Sequence, residues 1–413
     1  MDLESAPRPD ASPPRPRARR IVMVIRLLNG RVGGAERLFI DTANLFAEAG
    51  HEVTCLYCDS RRGRPFYRLS ARVKWLNLHG RSSRRGPLYR STDWLAKRTS
   101  GTPIGSATGW LSQNLYFSRR LHSALLSLRP DLVISFLPPA NTPTLLAGRL
   151  AGVPVVPTNH NVPKHDYESP VRWDQNPIDK ALRKWSLRFS SRIHVLFPSF
   201  IEWFPDELRD RVIAIPNYVS PEFENVEWPD QRSKTIIAAG RLAPVKRFDD
   251  LIRAWAVIAR DFPDWNVKIF GSGPEEGRLR GLIDSLDLRS SVFLMGHARD
   301  MKSAYLDAEI LAHPAAHEGF GLSVAEGLSC GLPVVAYADC DGVNEFVRTG
   351  YNGVMVNRAG GPEEFASALR QLIENPSHRN ELRANTQESV AHFTSAAFLD
   401  AWTSILNDLE ASK

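Results

Sequence analysis

The sequence predicts an α/β protein built as two doubly wound parallel-sheet domains that face one another across a cleft. Three observations lead there. Short apolar runs alternate with helical stretches along most of the chain, and the runs are continuously apolar, as strands of a sheet covered on both faces must be. The alternation breaks once, in "IPNYVSPEFENVEWPDQRSKT", where proline, acid and polar residues replace it, and then starts again. The length, 413 residues, exceeds one ordinary core and suits two domains of roughly 150 to 200 residues each.

The first series opens with the strand "RIVMVIRLL" and a helix from about Glu36 to Ala49, followed by "HEVTCLY" and "VKWLNL". After a helix around Gln113 to Leu128 come the strands "DLVISF", "VPVVPTNH" and "RIHVLF", separated by helical stretches in "NTPTLLAGRLAG" and "NPIDKALRKWSLRFS". The second series reads "KTIIAAGR", helix 248–260, "WNVKIFGSG", helix 274–286, "SVFLMG", helix 300–307, "EILAHP", a helix within "GLSVAEGLSCG", "PVVAY" and "GVMV". Helices from about Pro362 to Glu374 and from Pro376 onward close the chain. These elements divide it into a flexible polar arm (1–20), a first domain (21–217), a linker (218–233), a second domain (234–392) and a C-terminal helix (393–413) packing back toward the first domain. In such sheets ligands bind outside the carboxyl ends of the strands, so the gap between the two domains is the place to look.

Composition narrows the class. With 43% hydrophobic and 24% charged residues, the chain has the balance of a soluble globular protein. No apolar run reaches the ~18 to 20 residues of a spanning helix. The arm "MDLESAPRPDASPPRPRARR" lacks the apolar core of a secretory signal, so a cytoplasmic location is expected. The formal net charge of +6 is unevenly spread. Between Arg61 and Arg98 about a dozen Lys and Arg face a single acid, Asp93, and are interleaved with Phe66, Tyr67, Trp75, Leu88, Tyr89, Trp94 and Leu95. That mixture is either a solvated face over core aromatics or a surface for anionic lipid, which would place the protein peripherally on the inner face of the cell membrane. Nucleic acid is not expected, because neither zinc-ligand spacing nor an RNP-like aromatic signature accompanies the charge.

Four cysteines are read as ordinary thiols. Cys55 and Cys58 form a CxxC, but within a strand side chains three apart point to opposite faces, which argues against a metal or redox pair.

Four segments carry residues suited to chemistry. "NGRVGGAERLF" follows the first strand and opens the first helix, so Gly33 and Gly34 either let backbone approach a phosphate at a helix N-terminus or simply make a turn. "GSGPEEGRL" resembles a dinucleotide fingerprint through Gly271, Gly273 and Gly277, one residue out of register, and a tight strand-to-helix turn is the alternative. "AAGRLAPVKRF" puts Arg241 and Lys246 in a short loop at the end of a strand. There they are either two solvated charges or a clamp on a diphosphate, a fork and a movable point charge together. In "HEGFGLSVAEGLSC", Gly319 and Gly321 let the loop pass close to a ligand, and the amides of Phe320, Gly321, Leu322 and Ser323 begin a helix. Glu326, one turn inside, suits ribose hydroxyls, and Glu318 in the loop suits a sugar; otherwise both are ordinary acids near a helix start.

In this order, "GGAER", "TNHN", "GRLAPVK" and the pair Glu318 and Glu326 in an E-x7-E followed by "GLPVVAY" resemble the retaining glycosyltransferases of family 4, which build bacterial polysaccharides and glycolipids. The likeness runs from about Ile21 to the end. It implies the GT-B fold, two Rossmann-like domains, and a nucleotide-sugar donor with no further cofactor and no metal. It also implies that Arg241 and Lys246 hold the diphosphate and Glu326 the ribose, and that Glu318 with the backbone of Phe320 to Ser323 holds the sugar and phosphates. By the same resemblance, Gly33 and Gly34 would close on the donor from the other domain. His160 in "TNHN" matches the family's active-site histidine beside the transferred sugar.

One departure stands out: many relatives carry a Gly-Gly-Pro-x-Glu loop where this chain has "ADCDGVNEF". Asp339-Cys340-Asp341 has the form of a metal-binding DxD, but no metal role is expected of it. The expected function is transfer of a hexose or N-acetylhexosamine, UDP-linked, to a lipid-linked or membrane-bound glycan acceptor, with number of subunits unread. Three alternatives stay open: a GDP-mannose-dependent transferase, a sugar-nucleotide epimerase of the same fold, and a non-catalytic scaffold for membrane or polyanion.

Overall fold

The computed structural model describes residues 17–30, 33–61, 63–79, 87–169 and 177–411. Most of the arm and the Arg84–Arg85 part of the basic stretch lie outside them. Among the described residues the first sheet has strands β1 (Arg20–Ile25), β2 (Glu52–Tyr57), β3 (Lys74–Asn77), β4 (Leu132–Phe136), β5 (Val155–Thr158), β6 (Ile193–Val195) and β7 (Val212–Ala214). Their spatial order is β3-β2-β1-β4-β5-β6-β7. The second sheet has β8 (Thr235–Ala239), β9 (Asn266–Phe270), β10 (Val292–Gly296), β11 (Ile310–His313), β12 (Val334–Tyr337) and β13 (Gly353–Val356), in the order β10-β9-β8-β11-β12-β13. Every pairing is parallel. This is the two-domain GT-B arrangement expected from the sequence.

The order matters because it reverses direction between β1 and β4, and again between β8 and β11. Connections leave those neighbours toward opposite faces, which opens a crevice at their carboxyl ends. The loops that follow β1, β8 and β11 are the segments carrying Gly33–Gly34, Arg241–Lys246 and Glu318.

Burial explains why the strands read so clearly. Ile21, Met23 and Ile25 of β1 join one apolar core, while Val22 and Val24 point into another, so both faces of the sheet are covered. The CxxC obeys the same alternation, with Cys55 in the first of these cores and Cys58 in the second. All four thiols are buried and unbridged. Burial pushes those of Cys330 and Cys340 up to about 12, so neither is a ready nucleophile.

Several elements differ from the sequence reading. The helix placed at Gln113 starts at Pro103, where Thr102 accepts a hydrogen bond from the Gly105 amide, and a further helix, Pro87–Arg98, precedes it. Phe117, Leu121 and Leu125 bury one face of the longer helix at four-residue spacing. β7 was not anticipated, because a three-residue edge strand offers too little pattern. Gly271 and Gly273 serve loop packing, since a Cβ at either would overlap the carbonyl of Gly240 or Leu242; Gly277 has open space beside it. Gly271 and Gly273 thus let two loops touch.

The chain crosses between the halves twice. It leaves the first sheet through the linker and returns after Val390, and the two crossings are tied together. The Val219 amide donates to the Phe393 carbonyl at 2.9 Å, and the amide of Ser395 donates to the Glu224 carboxylate at 3.0 Å. The last helix, Ser395–Ala411, then buries Phe398, Trp402, Leu406 and Leu409 in the first domain's core.

Candidate active site

A cavity of about 590 Å³ lies between the two sheets and is walled by both domains. From the first domain come Gly33 to Leu38, Phe66, Tyr67 and His160, with Asn217 at the start of the crossing; from the second come Arg241, Lys246, Glu318, Phe320 to Ser323, Glu326 and the segment around His297. Gly33, Gly34, His160, Arg241, Lys246, Glu318, Phe320 to Ser323 and Glu326 all border this one space, whereas Gly273, Gly277 and Gly319 do not line it.

The helix Leu322–Ser329 starts at Gly321, which holds φ 80°, a left-handed conformation that glycine adopts without a Cβ penalty. Its first amides therefore point into the cavity mouth, where a positive helix end favours an anion. Opposite, the helix Gly34–Glu48 begins at Gly33, and a Cβ on Gly34 would come 3.9 Å from Leu322, so the two helix starts are near neighbours.

Lys246 is mostly buried and ion-paired with Glu318. Burial pulls its ammonium down to about 8. His313, with its Nε2 at 3.6 Å from Glu318, is buried and held neutral, well below the usual imidazole range, by burial and by Lys246. Arg241 is exposed on the cavity wall. The loop carrying Glu318 is locked from two sides. A Cβ on Gly319 would overlap the His160 carbonyl of the other domain, and one on Gly342 would overlap the Gly319 carbonyl. The Gly342 amide donates to the Glu318 carbonyl at 3.1 Å, so the "ADCDGVNEF" segment buttresses this loop directly.

Within that segment Asp339 pairs with Arg358 and Cys340 is buried. Among the described residues no group of three or more His, Cys, Asp or Glu side chains is placed to hold a metal ion.

His160 stacks on Phe136 with centroids 4.5 Å apart. Asn217 presents its side-chain oxygen, an acceptor, 3.3 Å from His160 Nδ1, so Nδ1 carries the proton of the neutral ring, while Nε2 lies 2.8 Å from the Thr158 hydroxyl, which also contacts the Ser135 carbonyl. Burial, reinforced by His194, holds the ring neutral. A sugar hydroxyl would reach this imidazole by replacing the longer, Asn217 contact.

One site residue was overlooked in the sequence. Arg37, the last letter of "GGAER", donates from Nη1 to Glu326 Oε1 at 2.9 Å and from Nη2 to Ser220 in the linker at 2.7 Å. It joins both domains and their connection. Tyr305 adds a long hydroxyl contact to the other oxygen of Glu326, at 3.5 Å.

The profile described as Glycosyl transferases group 1 matches residues 220–389, and that described as Glycosyltransferase Family 4 matches residues 32–223, so together they account for most of the chain. The chain belongs to the family 4 glycosyltransferases. An uncharacterised glycosyltransferase of Haemophilus influenzae is 32% identical over 194 residues, 47% of this chain and 54% of that protein. This family 4 chain thus spans about half the length of that relative. Among solved structures, Staphylococcus aureus TarM with fondaparinux, alpha-GlcNAc-glycerol and UDP superposes with a TM-score of 0.72 at 14% identity, covering 94% of this chain and 100% of that one. Anabaena HepE in complex with UDP gives 0.68 at 19% identity, with 94% and 100% covered. At such identities the likeness shows the fold, and the family 4 assignment rests on the profiles and the motifs.

Proposed function

We propose that this protein transfers a hexose or N-acetylhexosamine from a UDP-sugar to a lipid-linked or membrane-bound glycan acceptor, with retention at the anomeric carbon. The observation that carries the reading is the convergence on one cavity of Lys246, Arg241, a helix N-terminus and a buried carboxylate, Glu326, at the carboxyl ends of two parallel sheets. UDP is favoured over GDP because the TarM and HepE complexes hold UDP.

In this reading the helix start at Leu322 and the two cations receive the diphosphate, Glu326 accepts from the ribose hydroxyls, and Glu318 orients the sugar. The bond from C1 to the phosphate oxygen breaks, the acceptor oxygen bonds to C1 on the same face, and its proton passes to the leaving diphosphate. The cations and amides stabilise the charge that builds on that diphosphate, a role worth ~10²–10³ in rate for a single donor. No metal is assigned a step, and transfer is expected to survive EDTA.

Calorimetric titration with UDP- and GDP-sugars tests the donor. Arg241→Gln, on an exposed side chain, is expected to weaken UDP binding about tenfold at an unchanged melting temperature. Equal UDP affinity in that variant would remove the diphosphate assignment. Labelled donor interconverting without acceptor would reveal an epimerase, and unchanged cellular function in Glu326→Ala would reveal a scaffold.

We also place part of the basic segment on the inner face of the cell membrane. Supporting this are Trp75, Leu76 and Trp94, all exposed, with Arg98 set 5.2 Å over the Trp94 ring. No helix among the described residues is long and apolar enough to cross a bilayer. Trp94→Ser is expected to reduce sedimentation with anionic vesicles, and no reduction would count against the contact.

A further inference from the structure

Phe66, on the first domain's wall of the cavity, has no task in the donor reading. Phe66 borders the cavity yet is 61% exposed, an unusual state for a phenylalanine within a concave site. Its loop is anchored at many points. Asn29 bridges Pro65 in antiparallel fashion and donates its side-chain amide to the Arg61 carbonyl at 2.8 Å. The Gly30 amide donates to the Arg64 carbonyl at 3.3 Å, and Asn44 donates to the Arg68 carbonyl at 2.9 Å while accepting from the Ser70 amide at 2.8 Å. Tyr67 supports the ring edge-on, at 5.2 Å and 85°. The ring is thus held out toward the cavity by a fixed frame.

Charge marks the same loop. Arg61, Arg64 and Arg68 are exposed, and from Ser60 to Val73 the sequence contains neither Asp nor Glu. A flat apolar ring fits the C–H face of a pyranose, and guanidinium groups carried on the same loop fit phosphate or carboxylate oxygens as forks. A neutral sugar would use the ring and leave the arginines idle.

We infer that Phe66, with Arg61, Arg64 and Arg68, forms the acceptor subsite, and that the acceptor is an anionic glycan whose sugar lies on the ring and whose phosphate or carboxylate is met by the arginines. The inference rests on the glycosyltransferase reading and names the acceptor class for it.

The test uses the full chain saturated with UDP and three probes: N-acetylglucosamine, its 6-phosphate, and glucuronic acid, titrated by ligand-observed NMR. The 6-phosphate is expected to bind about tenfold more tightly than the neutral sugar. Phe66→Ala should weaken both sugars about fivefold and Phe66→Trp should restore them, whereas Arg64→Gln with Arg68→Gln should erase only the preference for charge. Glucuronic acid binding as well as the 6-phosphate would assign a carboxylate-bearing acceptor, and binding as weakly as the neutral sugar a phosphate-bearing one. The subsite is overturned if Phe66→Ala binds the 6-phosphate like wild type, or if charge brings no preference. It is equally overturned if the arginine variant loses phosphatidylglycerol vesicles while keeping the sugar phosphate, since the cations then serve lipid. Failure of UDP itself to bind would strike the donor assignment, a separate result from UDP bound beside a Phe66 that no sugar notices.

Discussion

Arg37 of the first domain and Glu326 of the second form a direct ion pair, Nη1 to Oε1 at 2.9 Å, across the cavity that separates their sheets. Burial raises the Glu326 pKa above the usual carboxylate range, and Arg37 opposes that rise. The arginine thereby keeps ionised the carboxylate assigned to the ribose.

Arg37→Gln is expected to move the acid limb of UDP binding to higher pH and to weaken UDP about tenfold at pH 7, with Arg37→Lys restoring part of both. The sign follows from the raised pKa: removing the cation raises it further, so the carboxylate loses its charge at a higher pH. Calorimetry between pH 5 and 8 reads the limb. An unshifted limb with weakened binding would mean that Arg37 only props the domains together.

The Lys246–Glu318 pair predicts a divided outcome. Lys246→Ala should cut turnover by at least ~100-fold, and it should also lower the melting temperature of the ligand-free protein, because a mostly buried Glu318 loses its cation at a cost of ~1–3 kcal/mol. Lys246→Met with Glu318→Gln should recover the melting temperature and not the turnover. Recovery of neither would show that the pair matters chiefly for packing.

A Cβ on Gly319 would overlap the backbone of His160 and Asn161 in the other domain. Gly319→Ala forces the loop back and is expected to destabilise by ~1–3 kcal/mol and to raise KM for the donor. Gly281→Ala, in the helix Glu276–Ser285 with nothing within 4 Å of the new methyl, should instead stabilise by ~0.5–1 kcal/mol. Urea titration of both variants checks the opposite signs.

Histidines set the acid sensitivity. His194 and His317 are pushed down to about 4, chiefly by burial, and His160, His165 and His313 are also lowered. Between about pH 4 and the unfolded value near 6.5 the unfolded chain binds more protons, so stability rises with pH through that window and is fully present above it. Each such ring contributes a slope of ~1.4 kcal/mol per pH unit where it is fully shifted. His165 and His317 stack at 3.7 Å from opposite domains, so charging both adds repulsion at the interface. Denaturant midpoints falling from pH 7 to pH 5 would bear this out; a flat profile would contradict it.

The sheets were legible because β1, β4, β8 and β12 are buried on both faces and so read as unbroken apolar runs. The helix Pro87–Arg98 was not, since its Leu88, Tyr89, Trp94 and Leu95 are interleaved with the charges of the basic stretch and read with it as one surface. The glycine and cation motifs could be placed from their positions after strands, which a crevice of this topology brings together. Arg37 could not. Its partner lies 289 positions away, and no local spacing encodes a contact made only once both domains have folded and met. His160 was found through resemblance, while its engagement with Thr158 and Asn217 depends on the start of the linker passing beside β5.

The two crossings, tied through Val219 to Phe393 and through Glu224 to Ser395, act as a double-stranded hinge. A single connecting strand would let the halves swivel as well as swing; two strands side by side leave essentially one axis of rotation. Cutting the chain after Phe393 would leave a one-stranded leash where there had been an axle, and would strip four apolar side chains, Phe398 to Leu409, from the far half's interior.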